Sequence, residues 1–436
     1  MRKPHLYRQI LLYFILCLSF LPLIEKTTKF VALYELKGAI DAPPNDTSFT
    51  PNSWLAGTYQ KQKEKYEDNT FGFKSVFIKI HNQVEYSLFG KINAREVIVG
   101  KDNYLFEEHY IQGYYGTDFV GMDSIHNVMN RLEFINDTLK KLGKTLILIF
   151  APNKAAFYPE YIPDKYKVPI VHTNYDSYLT LVKESGIDYI DFNSYFIANK
   201  QKSKYLLEPK YGTHWSMYGA ALTGDSLVNY IEKARHIAMP KAIWKNITIS
   251  NGSMFDIDME EGMNLIFRLP GPKMAYPDVT FEKDSTAMRP NVLIVGDSYY
   301  WGWFAAHDII HGFSKSSDFW YYDGKLQHKP ISKDELKNEL MKQDVFIILA
   351  TAHNWANIGW GFIEDTYNLY KGEPKPAKKG IEYVKELNDT RTGILANKEW
   401  LKQIEEQAKN GHISLDSAVT LNAIWVITHK VTNGKR

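Results

Sequence analysis

The chain has 436 residues, 44% hydrophobic and 23% charged, enough to bury a large core as one domain with an appendage or as two domains. A formal net charge of +2, with no basic stripe interleaved with aromatics, argues against nucleic-acid binding. The single cysteine, Cys17, lies in the N-terminal apolar run, so an intrachain disulfide, a cysteine-based metal site and a thiol nucleophile in the soluble part are all excluded.

In chain order, Arg2, Lys3 and Arg8 precede the apolar run from Ile10 to Ile24, an arrangement suited to export. No small-residue cleavage site follows, and the run falls short of the roughly 20 residues that span a bilayer comfortably. Flanking Lys, Arg and Tyr can anchor it, so residues 1–30 are read as an uncleaved signal anchor with the N-terminus in the cytoplasm, a cleaved signal peptide being the alternative. Residues 31–70 read as a linker with a short helix. From 71 onward, Phe73, Val76, Phe77, Ile80, Val84 and Leu88 recur at helical spacing. "VIVGKDNYLF" reads as a hairpin.

An alternation of helices and strands follows. "SIHNVMNRLEFINDTLKKLGK", "YDSYLTLVKESG" and "GAALTGDSLVNYIEKA" are expected helices; "TLILIF", "IDYIDF", "NVLIVG" and "DVFIILA" are expected strands. Strands that are apolar throughout and alternate with helices predict a mostly parallel sheet covered on both faces, with ligands beyond the strands' carboxyl ends. The basic, proline-bearing stretch 371–380 marks a break, and two helices separated at Asn410-Gly411 are expected after it. The domain reading is 71–370 for the α/β domain and 371–436 for a C-terminal helical segment.

The chemistry gathers at the strand ends. "IVGDSYYWG" sets Ser298 on a tight turn where its hydroxyl is exposed and backbone N–H groups can face an oxyanion; the alternative is a turn with serine as helix N-cap. A serine hydroxyl needs a base, and His214 in "KYGTHWSMYGA" is the best candidate. His81, His109, His126, His172, His307, His311 and His353 sit in less turn-rich and aromatic settings. Asn354 in "ATAHNWANIGWGF" can donate its amide to an oxyanion or simply cap the strand end. Lys154 lies just past another strand end, in "APNKAAFYPEYIP". Together with Trp215, Tyr299, Trp301 and Trp303 it makes up the candidate substrate-binding set. Trp355 and Trp360 are further candidates for an aromatic groove, because sugar rings have apolar faces that stack on aromatic side chains. Core packing competes as the explanation for an aromatic content of 14%. No metal-ligand spacing is present.

Four segments in this order, "VIVGKDNYLF", "APNKAAFYPEYIP", "GTHWSMYGA" and "VLIVGDSYYWG", resemble the alginate O-acetyltransferase (AlgJ/AlgX-like, or DHHW) group of SGNH hydrolase-like proteins over roughly residues 70 to 370. The resemblance implies a permuted, three-layer αβα SGNH hydrolase-like domain whose histidine segment precedes its serine segment. It further implies an extracytoplasmic enzyme that moves acetyl groups onto polysaccharide hydroxyls, with Ser298 as nucleophile and His214 as base. A polysaccharide acceptor and a membrane-bound O-acyltransferase as acetyl supplier are the implied partners, and no cofactor is called for.

The departure is Gly212, where the family pattern Asp-Thr-His-Trp carries the triad aspartate. Disabling the equivalent aspartate in serine proteases lowers turnover by about 10⁴-fold. Three readings stay open: a substitute acid (Glu208, Asp256 or Asp258), a Ser–His dyad, or an inactive polysaccharide-binding or assembly protein. A carbohydrate acetyl esterase would use the same residues with water as acceptor.

Overall fold

The computed structural model describes residues 3–38, 45–284, 286–322, 332–372, 380–411 and 413–433. Most of the expected break at 371–380 and part of the linker therefore lie outside the described residues. The chain divides into two compact units, Met1–Val97 with Asp258–Pro270, and Ile98–Ile257 with Gly271–Arg436.

In the first unit, helix Lys3–Thr28 carries a 23-residue segment, Leu6–Thr28, that is long and apolar enough to cross a membrane. The helix runs well past the apolar run. At 1.5 Å per residue its length is about 39 Å, against roughly 30 Å of bilayer hydrocarbon. Pro22 lies inside it, and the hydroxyls of Thr27 and Thr28 donate back to the carbonyls of Leu23 and Ile24. The expected helix beyond 71 forms as Lys74–Phe89, yet Phe77, Ile80, Val84 and Leu88 on its apolar stripe are exposed. Its inner side is pinned to the 258–270 segment: Asn82 Nδ2 donates to the Met263 carbonyl at 2.9 Å, and Gln83 Oε1 accepts from the amides of Ile266 and Phe267.

A short ribbon, β1 (Val97–Val99) and β2 (Leu105–Glu107), begins at the boundary, and the second unit is built on a five-stranded parallel sheet. The sheet strands are β3 (Thr145–Phe150), β4 (Asp188–Asp191), β7 (Val292–Gly296), β8 (Asp318–Tyr321) and β9 (Val345–Ala350), in the order β4-β3-β9-β7-β8. Side chains alternate across the pleat. Ile147, Ile149, Val292, Ile294, Val345 and Ile347 face one core, shared with helix Met217–Arg235. Leu146, Leu148, Leu293, Val295, Phe346 and Ile348 face the other, shared with helices Met122–Lys141 and Asn174–Ser185. The result is the three-layer αβα arrangement expected from continuously apolar strands. β3 and β4 proceed outward on one side and β7 and β8 on the other, with β9 inserted between β3 and β7. The carboxyl ends of β3, β9 and β7 thus border a topological switch point, the place where such sheets bind ligands.

An antiparallel ribbon unforeseen in the sequence, β5 (Ala242–Asn251) with β6 (Lys273–Phe281), also belongs to this unit. The C-terminal segment holds three helices, Gly380–Ala396, Lys398–Gly411 and Leu415–Asn433. The additional break falls at Asn397, whose side-chain oxygen accepts the Trp400 amide and starts the second helix. The last helix is fastened by a buried ion cluster: Asp416 accepts from both Arg235 and Arg391. Ser414, just before this helix, and Ser417 within it donate to the buried carboxylate of Asp344 at the start of β9.

Candidate active site

β7 ends in Gly296-Asp297-Ser298, and the chain turns at once into helix Tyr300–Ala306. Asp297 is fully buried and holds this turn against the end of β9. Its Oδ1 accepts the Tyr299 amide at 3.1 Å; its Oδ2 accepts the Thr351 amide and hydroxyl at 2.8 and 3.0 Å and the Asn354 amide at 2.8 Å. Ser298 is left partly exposed at the tip.

His214 arrives from the loop that precedes helix Met217–Arg235. Its Nε2 lies 2.7 Å from Ser298 Oγ, a direct hydrogen bond between residues 84 positions apart. The ring is largely buried, with the rings of Phe255 and Tyr299 each 5.1 Å from it. The loop beneath is held from several sides. Ser216 caps the following helix by accepting the Gly219 amide, and its hydroxyl donates to the Leu206 carbonyl. Lys154, at the end of β3, is 1% exposed and donates to the carbonyls of Gly212 at 2.6 Å and Lys210 at 2.9 Å.

Several residues expected to touch substrate are interior supports. Trp215, Tyr299 and Trp303 are 0% exposed. Tyr299 donates its hydroxyl to the Thr213 carbonyl at 2.8 Å, and Trp303 donates its indole N–H to Thr223 Oγ1 at 2.9 Å. Trp215 packs between the rings of Tyr299 and Trp303 and over Gly302, where a Cβ would stand 2.8 Å from its Cδ1. Burial drives the Tyr299 phenol well above its ordinary pKa, so it stays protonated. Lys154 is likewise a loop anchor. Trp355 is buried and stacks on Phe150, with ring centroids 4.0 Å apart. Asn354 spends its amide hydrogens on Asp297 and Thr351, which makes it a brace for the strand ends rather than a donor aimed at an oxyanion.

Trp301 alone of the expected substrate-binding set reaches the surface. It is 39% exposed, beside Phe304 at 49% and Tyr321 at 42%, with ring centroids 6.2 and 6.3 Å away. Trp360 is half-buried against Tyr322. Phe304 and Tyr321 were not singled out in the sequence. Helical spacing from Trp301 points to Phe304, and Tyr321 ends the strand paired with Gly296.

The three candidate acids separate. Glu208 is fully buried; its own carbonyl accepts the Tyr158 hydroxyl at 3.0 Å. Asp256 is 2% exposed, and its Oδ1 accepts the Met217 amide at 3.2 Å. Asp258 belongs to the other compact unit, where its Oδ1 accepts the amide of Met259 at 2.7 Å. Among the described residues, no three His, Cys, Asp or Glu side chains converge as a metal site.

A family profile for the SGNH hydrolase-like domain of acetyltransferase AlgX matches residues 97–250. The probable alginate O-acetylase AlgJ of Pseudomonas syringae pv. tomato is 25% identical over 173 residues, covering 40% of this chain and 42% of that protein. Its counterpart from Pseudomonas aeruginosa is 23% identical over 205 residues, covering 46% and 50%. The chain thus spans half or less of the length of these curated relatives. Among solved structures, the O-acetyltransferase domain of Pseudomonas putida AlgJ aligns with a TM-score of 0.41 and 16% identity over 62% of this chain and 98% of that one. Over the matched residues the chain is similar to the AlgJ/AlgX-like group of SGNH hydrolase-like proteins.

Proposed function

We propose that the chain is a membrane-anchored O-acetyltransferase that moves acetyl groups onto the hydroxyls of an extracytoplasmic polysaccharide. The observation that carries this reading is the 2.7 Å contact between His214 Nε2 and Ser298 Oγ at the carboxyl end of β7. A neutral imidazole in that position accepts the hydroxyl proton as Oγ attacks the acetyl carbonyl carbon. The Ser298 amide, at the start of a helical turn, faces the developing oxyanion. Collapse of the tetrahedral species expels the donor's leaving group, which takes the proton from His214, and leaves an acetyl ester on Ser298. A sugar hydroxyl then gives its proton to the same nitrogen and attacks the ester; the proton passes to Oγ as serine is released.

The acceptor chain lies along Trp301, Phe304 and Tyr321, whose exposed rings offer apolar faces to pyranose rings next to the nucleophile. Helix Lys3–Thr28 holds the catalytic unit at the outer face of the membrane, with the basic residues at its amino-terminal end inside. A membrane-bound O-acyltransferase delivers the acetyl group from the cytoplasmic side. Names given to the relatives, alginate O-acetylases, support a polysaccharide acceptor.

The test is Ser298→Ala in the native host, read as ester-linked acetate on the surface polymer. Loss of that acetate is expected; unchanged acetylation refutes the proposal. If the purified chain hydrolyses acetyl esters but transfers nothing to any sugar polymer supplied, the esterase reading replaces the transferase.

A further inference from the structure

The position two residues before His214 carries no acid, and the structure gives a steric reason. A Cβ built on Gly212 would run into the carbonyl oxygen of Phe255 and stand 2.9 Å from the carbonyl carbon of Asp256. The space in which an aspartate at 212 would begin is thus filled by the backbone of the segment that follows β5.

That segment carries its own acid into the same neighbourhood. The Phe255 ring packs on His214 with centroids 5.1 Å apart and the planes at 65°. Asp256, the next residue, is buried and accepts the amide of Met217, three residues beyond His214. Its carboxylate also faces β6: burial, and after it the hydrogen bond with Asp256, push the Tyr276 phenol up to about 12 against the opposing effect of Ser253. Tyr276 in turn accepts the Ser253 amide at 2.7 Å, which holds the turn 253–256 in place.

We propose that Asp256 is the acid that orients His214, supplied from the β5–β6 ribbon into the space that the Gly212 backbone leaves open. This deepens the proposed acyl transfer and rests on the Ser298–His214 pair. Asp256 acts as a positioning residue. Its carboxylate accepts Nδ1–H, which fixes the tautomer with Nε2 free to take the serine proton, and it stabilises the imidazolium formed in each half-reaction. Glu208 is the competing acid. Burial, Tyr110 and then Glu208 raise the Tyr299 phenol, which sets the Glu208 carboxylate near the phenols behind the loop. The charged and titratable groups around the histidine segment include Asp256 with Tyr276, Glu208, Asp297, Lys154, Lys210 and Tyr211 of the loop itself, Tyr110 and Tyr299.

The test uses the full chain in detergent with p-nitrophenyl acetate as probe, measured across the imidazole titration range. Asp256→Asn is expected to lower kcat by roughly 10²–10⁴-fold with KM changed less than about threefold. The acid limb of kcat/KM should move to lower pH, because the imidazolium has lost a neighbouring anion. Glu208→Gln should leave both within about threefold of the unaltered protein, and Asp256→Asn combined with Gly212→Asp should restore nothing.

An Asp256→Asn protein with unaltered kcat and acid limb overturns the proposal, as does the same loss appearing in Glu208→Gln instead. Should Asp256→Asn fail to fold, the nitrogen-bound proton resonance of His214, assigned by its absence in His214→Gln, decides the matter. It persists in Glu208→Gln if Asp256 is the partner, and its disappearance there overturns the assignment. Ser298→Ala separates the two levels. Retained turnover in that variant sinks the proposed function, whereas a dead Ser298→Ala beside a normal Asp256→Asn sinks the acid alone.

Discussion

Lys154 shows how much of this site is support rather than contact. Its ammonium lies inside the protein and donates to two carbonyls of the histidine loop, at Gly212 and Lys210. Replacing it with methionine keeps the volume but takes the donor from the buried Gly212 carbonyl, at about 1–3 kcal/mol, while the Lys210 carbonyl keeps the Leu105 amide. Lys154→Met should therefore unfold at lower denaturant concentration and turn over acetyl esters more slowly, with KM little changed; equilibrium unfolding and steady-state kinetics check both. Ser298 and His214 were legible in the sequence because each sits where an apolar strand or a glycine-rich turn gives way to polar residues. The direction of the neighbouring aromatics was not read, although the helix period contains it: Tyr300 and Trp303 fall on the inner face, Trp301 and Phe304 on the outer one. Trp301→Ala should raise KM for a polymeric acceptor several-fold while leaving p-nitrophenyl acetate turnover unchanged, a split that kinetics with and without polymer reads directly.

At the scale of elements, the parallel strands were legible because burial on both faces makes them apolar without interruption. The β5–β6 ribbon was not, since its half-exposed strands alternate weakly and a long insertion separates them. That ribbon nevertheless delivers Asp256. The C-terminal helices are coupled to the opposite, amino end of the sheet through Asp416, which is fully buried between Arg235 and Arg391. Both guanidiniums hold the Asp416 carboxyl below its ordinary range against the opposing effect of burial. Removing it strands two buried cations, so Asp416→Ala should cost about 3–5 kcal/mol. Hydrogen exchange should show the loss first in helices Gly380–Ala396 and Leu415–Asn433.

Across the whole molecule, acid sensitivity has an identifiable source away from the site. His307 is 0% exposed beneath Phe281, and burial lowers its pKa to about 4. Folded His307 stays neutral while the unfolded chain takes up a proton near pH 6.5, the unperturbed value. Its contribution is therefore full above pH 6.5 and is lost as pH falls toward 4, by as much as about 3 kcal/mol. His307→Phe should flatten the acid limb of a plot of melting temperature against pH; an unchanged limb assigns the sensitivity elsewhere.

The backbone of Phe255 and Asp256 beside Gly212 also constrains which residues position 212 can accept. With that backbone in place, no side chain fits at 212, so an aspartate there is blocked until the 253–256 turn withdraws. Withdrawal of the turn, in turn, removes Asp256. An acid at 212 and the present 253–256 turn are therefore mutually exclusive in this backbone.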